Sequence, residues 1–550
     1  MSPPDSDASA RFDLLERKVV DSLFELNPSL AVGLGVHEYD GRLPPIERDA
    51  TDAWLRRSDQ LLAELRHGDP DRLGAGRQID RRLLELALEG CQFDLRESAE
   101  YDRNPMGYFG ALSLTAYTVR PYAPLAARGE AMLRVLQAVP AWLRTAERRL
   151  RPELPLPFVQ IALSMGQGLP QHFADCEQRL GPELEELAGR FRKAREPAAD
   201  AVRAFHRALE ERFLPRASPE FALGEAHYRR LLWVREGISL SPEELRARGE
   251  ADLRRNQERL EAIVRSAPPA RTVTAYMERI GDDHGSAEEL LPETRRCVAE
   301  TERWIRESGL ISLPSSVLCR VEETPAFARA LSTASMNPPG PFEAQGSDGV
   351  YYVTTVDPAW TAQQQEQWLR TLCRPILRNV TVHEVYPGHY LQFLHLRQSS
   401  ASLARRCCLS ASFTEGWAHY CEQLAIEEGF GAPGTPAEAV QLQDALLRDC
   451  RLIVSVGLHC QGMSLAQGAE FFRREAHLEP LNAERETMRG TFNPEYYCYT
   501  LGKLEILRLR GQRADSGPGS LRRFHDRLLS FGCPPVGLLE GLLASEPSAP

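Results

Sequence analysis

Nowhere in the 550 residues does an apolar run approach the about 18 residues needed to span a bilayer, so no transmembrane helix is expected. A basic excess is missing too. The net charge is −11 and the pI near 5.8, which argues against nucleic acid or an anionic membrane as the main partner. Met1–Ala8 has neither a basic nor an apolar block, so no secretory signal is expected. The 12 cysteines form no CxxC pair; Cys407 and Cys408 are adjacent and the rest are scattered. That pattern reads as reduced, buried thiols in a cytoplasmic protein and disfavours a cysteine zinc site. Internal repeats and low-complexity linkers are absent, and strand signals are few.

What is present is helix. Hydrophobic residues make up 43% of the chain, enough for a large core. Residues 1–10 read as disordered; from Arg11, apolar residues recur at helical spacing (Phe12, Leu15, Val19, Leu23). Amphipathic periodicity predicts helices over 51–66, 79–97, 127–152, 173–213, 242–266, 287–308, 362–378, 437–461 and 519–530. Ser241-Pro242-Glu243-Glu244 is a start signal for one of them. Val350–Thr355 is the best strand, with a second around Ser316–Val321. Such a patch is a plain sheet or a docking edge for an extended substrate. The expected fold is mostly α: an N-terminal helical lobe over 11–240 and a helical catalytic lobe over 241–550, or one continuous domain.

The run 383–392 reads His-Glu-Val-Tyr-Pro-Gly-His-Tyr-Leu-Gln. Two imidazoles and a carboxylate are what a zinc hydrolase needs to hold a metal and activate water. Yet His389 lies six positions after His383, where H-E-x-x-H places its histidines four apart. Six positions turn a regular helix by about 600°, close to the opposite face. Pro387 lacks the amide a helix needs and clashes with the carbonyl of His383; Gly388 tolerates unusual dihedrals. A kink or wide bulge is therefore expected there, and such bulges are frequent at functional sites. The plainer alternative is a helix end with incidental histidines.

Glu415, His419 and Glu422 fall at i, i+4 and i+7 of a second run, Thr414–Glu422, and share one helical face. Buried carboxylates are costly unless paired or metal-bound. Glu415 lies 26 residues after His389 and fits a third zinc ligand, against the alternative of a structural carboxylate–histidine pair. His419 and Glu422 fit a role in orienting ligands. Near the C-terminus, Tyr496, Tyr497 and Tyr499 precede Gly502-Lys503. Tyr499 is the first candidate to stabilise an oxyanion, with aromatic packing as the alternative for each tyrosine. Arg451 and His459 share a helical face and either bind a substrate carboxylate or pair with acids, while Gln392 is spaced to bond a ligand histidine or the substrate.

His383–Gln392, Glu415–Glu422 and Tyr499–Lys503 resemble three blocks of the bacterial domain-of-unknown-function 885 family. Asn27–Asp40, Leu231–Gly249 and Arg451–His459 are similar to further segments, so the resemblance spans nearly the whole chain. It implies an elongated, helical, metallopeptidase-like fold with a deep cleft. It also implies one zinc ion on the equivalents of His383, His389 and Glu415, with Glu384 as base. The chain departs from the family pattern at His419, commonly apolar, and at Ser455, where an acid is expected. The expected activity is zinc-dependent hydrolysis of peptide or related amide bonds on short peptides. The alternatives are a catalytically silent binding protein of the same fold and a metal-dependent amidohydrolase of a small metabolite. Expected partners are a short peptide or small amide, with no nucleic acid and no membrane; a homodimer is admitted.

Overall fold

The computed structural model describes residues 6–68, 72–181, 184–315, 318–325, 329, 332–344, 349–513, 517 and 519–545. It is mostly α-helical with one small sheet. Contacts divide the chain into two compact units, Met1–Arg235 with Gly340–Ser347, and Glu236–Pro339 with Asp348–Pro550.

The first unit is helical. Its first helix, Ser6–Leu26, starts five residues ahead of the expected position, so Ser6–Ala10 are ordered; residues 1–5 lie outside the described residues. The helix expected over 173–213 is two helices, Leu156–Leu180 and Glu185–Ala208, parted at Gly181 in the left-handed region (φ 65°) and followed by a wider π turn over Leu209–Phe213. The periodicity on both sides of Gly181 is helical, which hid the break. Segment Gly340–Ser347 returns to this unit. Phe342 N–H donates to Leu34 O at 3.0 Å, and a Glu343 carboxylate oxygen lies 2.9 Å from His37 Nε2.

The second unit carries the sheet. Strands β1 (Arg320–Glu323), β2 (Ala334–Asn337) and β3 (Val350–Val353) lie in the order β1-β3-β2, with β1 parallel and β2 antiparallel to β3. All four residues of β3 are buried, as a central β-branched and aromatic strand requires. β1 begins later than the expected strand, of which Ser316 and Val317 lie outside the described residues. The helix expected over 362–378 is two helices, Ala362–Thr371 and Arg374–Glu384. Pro375 has no amide to continue the first helix but suits the opening turn of the second.

Two helices of this unit approach with no side chain between them. A Cβ on Gly502, in helix Cys498–Arg513, would overlap the carbonyl oxygen of Ser412, and one on Gly416, in helix Ala411–Glu427, would overlap Gly502. Only glycine fits either position. Glu236 is fully buried nearby, accepting from Ser410 Oγ at 2.8 Å and Ser412 N–H at 3.3 Å; burial pushes its carboxyl up to about 7.

Gly502→Ala is expected to lower stability by about 3 kcal/mol or more, since backbone must move to admit the methyl. Chemical denaturation checks this; a change under about 1 kcal/mol would refute the contact. Because Glu236 titrates higher folded than unfolded, it holds its proton in the folded state and lowers stability as pH rises from its unfolded value through about 7. Glu236→Gln, which keeps an oxygen for the Ser412 amide and offers an NH2 that the Ser410 hydroxyl can accept from, should raise the melting temperature above pH 7 and change little below pH 4. The same shift at both pH values would count against a buried, strained carboxylate.

Candidate functional site

Helix Arg374–Glu384 stops one residue after His383, and helix His389–Gln398 starts at His389. Between them Val385 (φ −115°, ψ −84°) and Gly388 (φ −70°, ψ −134°) leave helical geometry. Val385 N–H still donates to Thr381 O at 2.9 Å, but Gly388 N–H reaches six residues back to Val382 O at 3.0 Å and Leu391 N–H six back to Val385 O at 3.2 Å. The turn is thus a widened loop that satisfies the amides of Val385, Gly388 and Leu391 from within. Gly388 lies so close to the His383 carbonyl that any Cβ would overlap it. Trp417 Nε1–H, from helix Ala411–Glu427, donates to Pro387 O at 2.9 Å and pins the loop. The detour brings the rings of His383 and His389 edge to face, centroids 4.8 Å apart and planes at 86°.

Glu415 completes a cluster. Its Oε2 lies 3.6 Å from His383 Nε2 and 3.6 Å from His389 Nε2. Ligand atoms of the three residues fall within 4.8 Å of one another. A separation of 3.6 Å is long for a hydrogen bond. It is close to the edge of a tetrahedron with bonds of about 2.0–2.1 Å, where ligand atoms sit about 3.4 Å apart. Two imidazole nitrogens and one carboxylate are also a donor set suited to a catalytic zinc.

Behind His383 lies a carboxylate. Glu422, fully buried, places Oε1 2.6 Å from His383 Nδ1, fixing the ring so that Nε2 faces Glu415. Arg448 Nη2 lies 3.0 Å from Glu422 Oε1, and Asn379 Nδ2 donates to Oε2 at 3.4 Å. Burial raises the Glu422 carboxyl, but Arg448 and the flanking histidines hold it well below the usual range. Burial would lower His383; Glu415 and Glu422, one on each nitrogen, outweigh it and raise it to about 10. Burial also works against the Glu415 charge, and the two histidines overcome it.

Glu384 takes a different environment. Its Oε2 accepts from Met336 N–H at 2.9 Å, an amide of edge strand β2 that points away from β3. Burial raises its pKa, and the imidazoles and Met336 offset this only in part. Glu384, His383, His389, Glu415 and Tyr499 line one cavity of about 1320 Å³.

The other expected residues divide. Tyr499 faces this cavity, its hydroxyl pushed up to about 12 by burial and by Glu415. Tyr496 is buried and donates to Glu486 Oε2 at 2.8 Å; Tyr497 is buried and does not line the cavity. His419 sits fully buried with Nδ1 3.4 Å from Glu422 Oε2, and burial drives its pKa down to about 3, so it is neutral. Arg451 lines the cavity in a two-point pair with Glu486, Nε to Oε2 at 2.8 Å and Nη2 to Oε1 at 2.7 Å. His459 instead donates from Nε2 to Gly490 O at 2.9 Å, away from the cavity, because its stretch of the helix is packed all round. Gln392 is buried, its Nε2 3.4 Å from Phe413 O, and bonds neither histidine; its helix leaves the loop with that face turned inward. Ser455 donates to Pro494 O at 2.8 Å, which satisfies the position where an acid was expected.

Sequence reasoning missed Arg448, Asn379, Asp444 and the Met336 amide. A signal for two of them was present: Asp444, Arg448, Arg451 and Ser455 recur at i, i+4, i+7 and i+11, a polar stripe on the otherwise apolar helix Pro436–Cys460. The Met336 contact is a backbone one and leaves no such trace.

Comparison with curated proteins finds no match. Among solved structures, a candidate lipoprotein of unknown function from Shewanella oneidensis is similar at 22% identity and a TM-score of 0.79, over 97% of this chain and 99% of that one. A candidate lipoprotein from Colwellia psychrerythraea is similar at 17% identity and a TM-score of 0.80, over 98% and 99%. These likenesses show a shared fold. The profile of a family described as bacterial proteins of unknown function, DUF885, matches residues 28–543, and the chain belongs to that family.

Proposed function

We propose that this protein is a zinc-dependent hydrolase of peptide or related amide bonds, acting on short peptides in the cavity that holds His383, Glu384, His389 and Glu415. One observation carries the reading: two imidazole nitrogens and a carboxylate oxygen converge at ligand spacing, with a second, unpaired-with-cation carboxylate beside them on the same wall. His383, His389 and Glu415 would hold the ion. Bound there, zinc supplies Lewis acidity and lowers the pKa of water.

The chain's own groups do the rest. Glu384, its pKa raised by burial, takes the proton of the attacking water and returns it to the leaving amine. Met336 N–H fixes one of its oxygens and leaves the other for that transfer. Tyr499 keeps its proton at neutral pH and can donate it in a hydrogen bond to the developing oxyanion. Glu422, backed by Arg448, holds the His383 ring in orientation. Place in the cell is a separate matter. Among the described residues no helix is long and apolar enough to cross a membrane. The description of both solved neighbours as candidate lipoproteins gives the expected cytoplasmic location no support.

His383→Ala is expected to abolish stoichiometric zinc, measured by elemental analysis of purified protein, and Glu384→Gln to keep zinc while peptide turnover falls at least about 1000-fold. Zinc-free wild type, or a Glu384→Gln protein as active as wild type, would sink the reading. Glu422→Gln should weaken zinc about 10–100-fold in a chelator competition. An unchanged affinity would show that Glu422 does not orient His383.

A further inference from the structure

One wall of the same cavity carries charge that the hydrolytic groups do not use. Helix Pro480–Phe492 presents Asn482, Arg485, Glu486 and Arg489 to it, at i, i+3, i+4 and i+7, a single helical face. Glu486 is consumed by its two-point pair with Arg451 and by the hydroxyl of Tyr496. Arg448, the next cation along the wall, is neutralised by Glu422 and Asp444. Arg485 and Arg489 have no carboxylate within 4 Å among the described residues. Arg489 has its guanidinium carbon 5.4 Å from the Tyr496 ring centroid and, from beyond ion-pair distance, adds its charge to those that lower Glu486.

This positive charge lines the same cavity as the proposed reaction centre. Arg451, held between Glu486 of that helix and the ring of Tyr499 (5.2 Å to its centroid), joins the arginine wall to the tyrosine that faces Glu415. Two exposed guanidiniums on one helical face, with no carboxylate within 4 Å among the described residues, are suited to a carboxylate and to its two-point geometry. We propose that Arg485 and Arg489 bind a carboxylate of the substrate and so orient a peptide in the cavity with its anionic group on the helix face Asn482–Arg489. That carboxylate is the C-terminal one or an acidic side chain. The inference rests on the hydrolase reading for what happens to the peptide, but not for the peptide's being bound.

Binding is therefore the readout. Metal-loaded Glu384→Gln protein is titrated by calorimetry with N-acetylated di- to hexapeptides, each as free acid and as C-terminal amide. A second set compares internal glutamate with glutamine in amidated peptides. A free acid, or a glutamate peptide, should bind at least about 10-fold more tightly than its neutral twin. Arg485→Ala/Arg489→Ala should reduce that preference to under about 2-fold, while Arg485→Lys/Arg489→Lys retains part of it. Which set responds identifies the source of the carboxylate. Equal binding of charged and neutral twins in both sets, no binding of any peptide at millimolar concentration, or a preference that survives the double alanine variant overturns the proposal. If the acid binds as expected and wild-type protein leaves it uncut, the hydrolase reading falls and the carboxylate site stands.

Discussion

The candidate site depends on two backbones that touch. Where Gly416 meets Gly502, helices Ala411–Glu427 and Cys498–Arg513 lie closer than any side chain permits. Glu415 precedes one glycine and Tyr499 stands three residues before the other, so the crossing fixes a carboxylate and a phenol relative to each other. The same helix sends Trp417 to Pro387 and Glu422 to His383. One helix thus positions the loop that brings the two histidines together, the ring of the first histidine and the acid between the two. The next turn of the tyrosine helix anchors inward through Lys503, fully buried 2.6 Å from Asp252. Any rotation of either helix would move several of these groups at once.

Much of this was legible in residue type and spacing. The mostly helical class followed from periodicity, and the broken helix between His383 and His389 followed from what proline and glycine do to a backbone. The cluster of both histidines with Glu415 followed from chemistry plus one helical face. What stayed hidden has a common cause. Gly181 sits between stretches of equal periodicity, so helical spacing carried across a break. Gln392 has the right spacing for a site residue, but the loop rotated its helix away. Met336 contributes an amide, which every residue but proline possesses, so no side-chain pattern marks it. Arg448 and Arg451 were separable only by their partners: each neutralises a different acid, brought in from a different helix.

The buried carboxylates also govern how the site behaves with no ion in it. Charges this deep are tolerated where an acid has a cation or a polarised ring against it. Glu422 has Arg448, and Glu415 has the two histidines. Between those acids His383 retains a proton well into the alkaline range. Glu415 and Glu422 are thus balanced by the chain's own groups before any ion enters. On the proposed reading, a divalent ion would have to displace a proton from the imidazole, and its apparent affinity would fall as the medium acidifies. If the pocket takes a metal as proposed, mild acid would act on it as a chelator does.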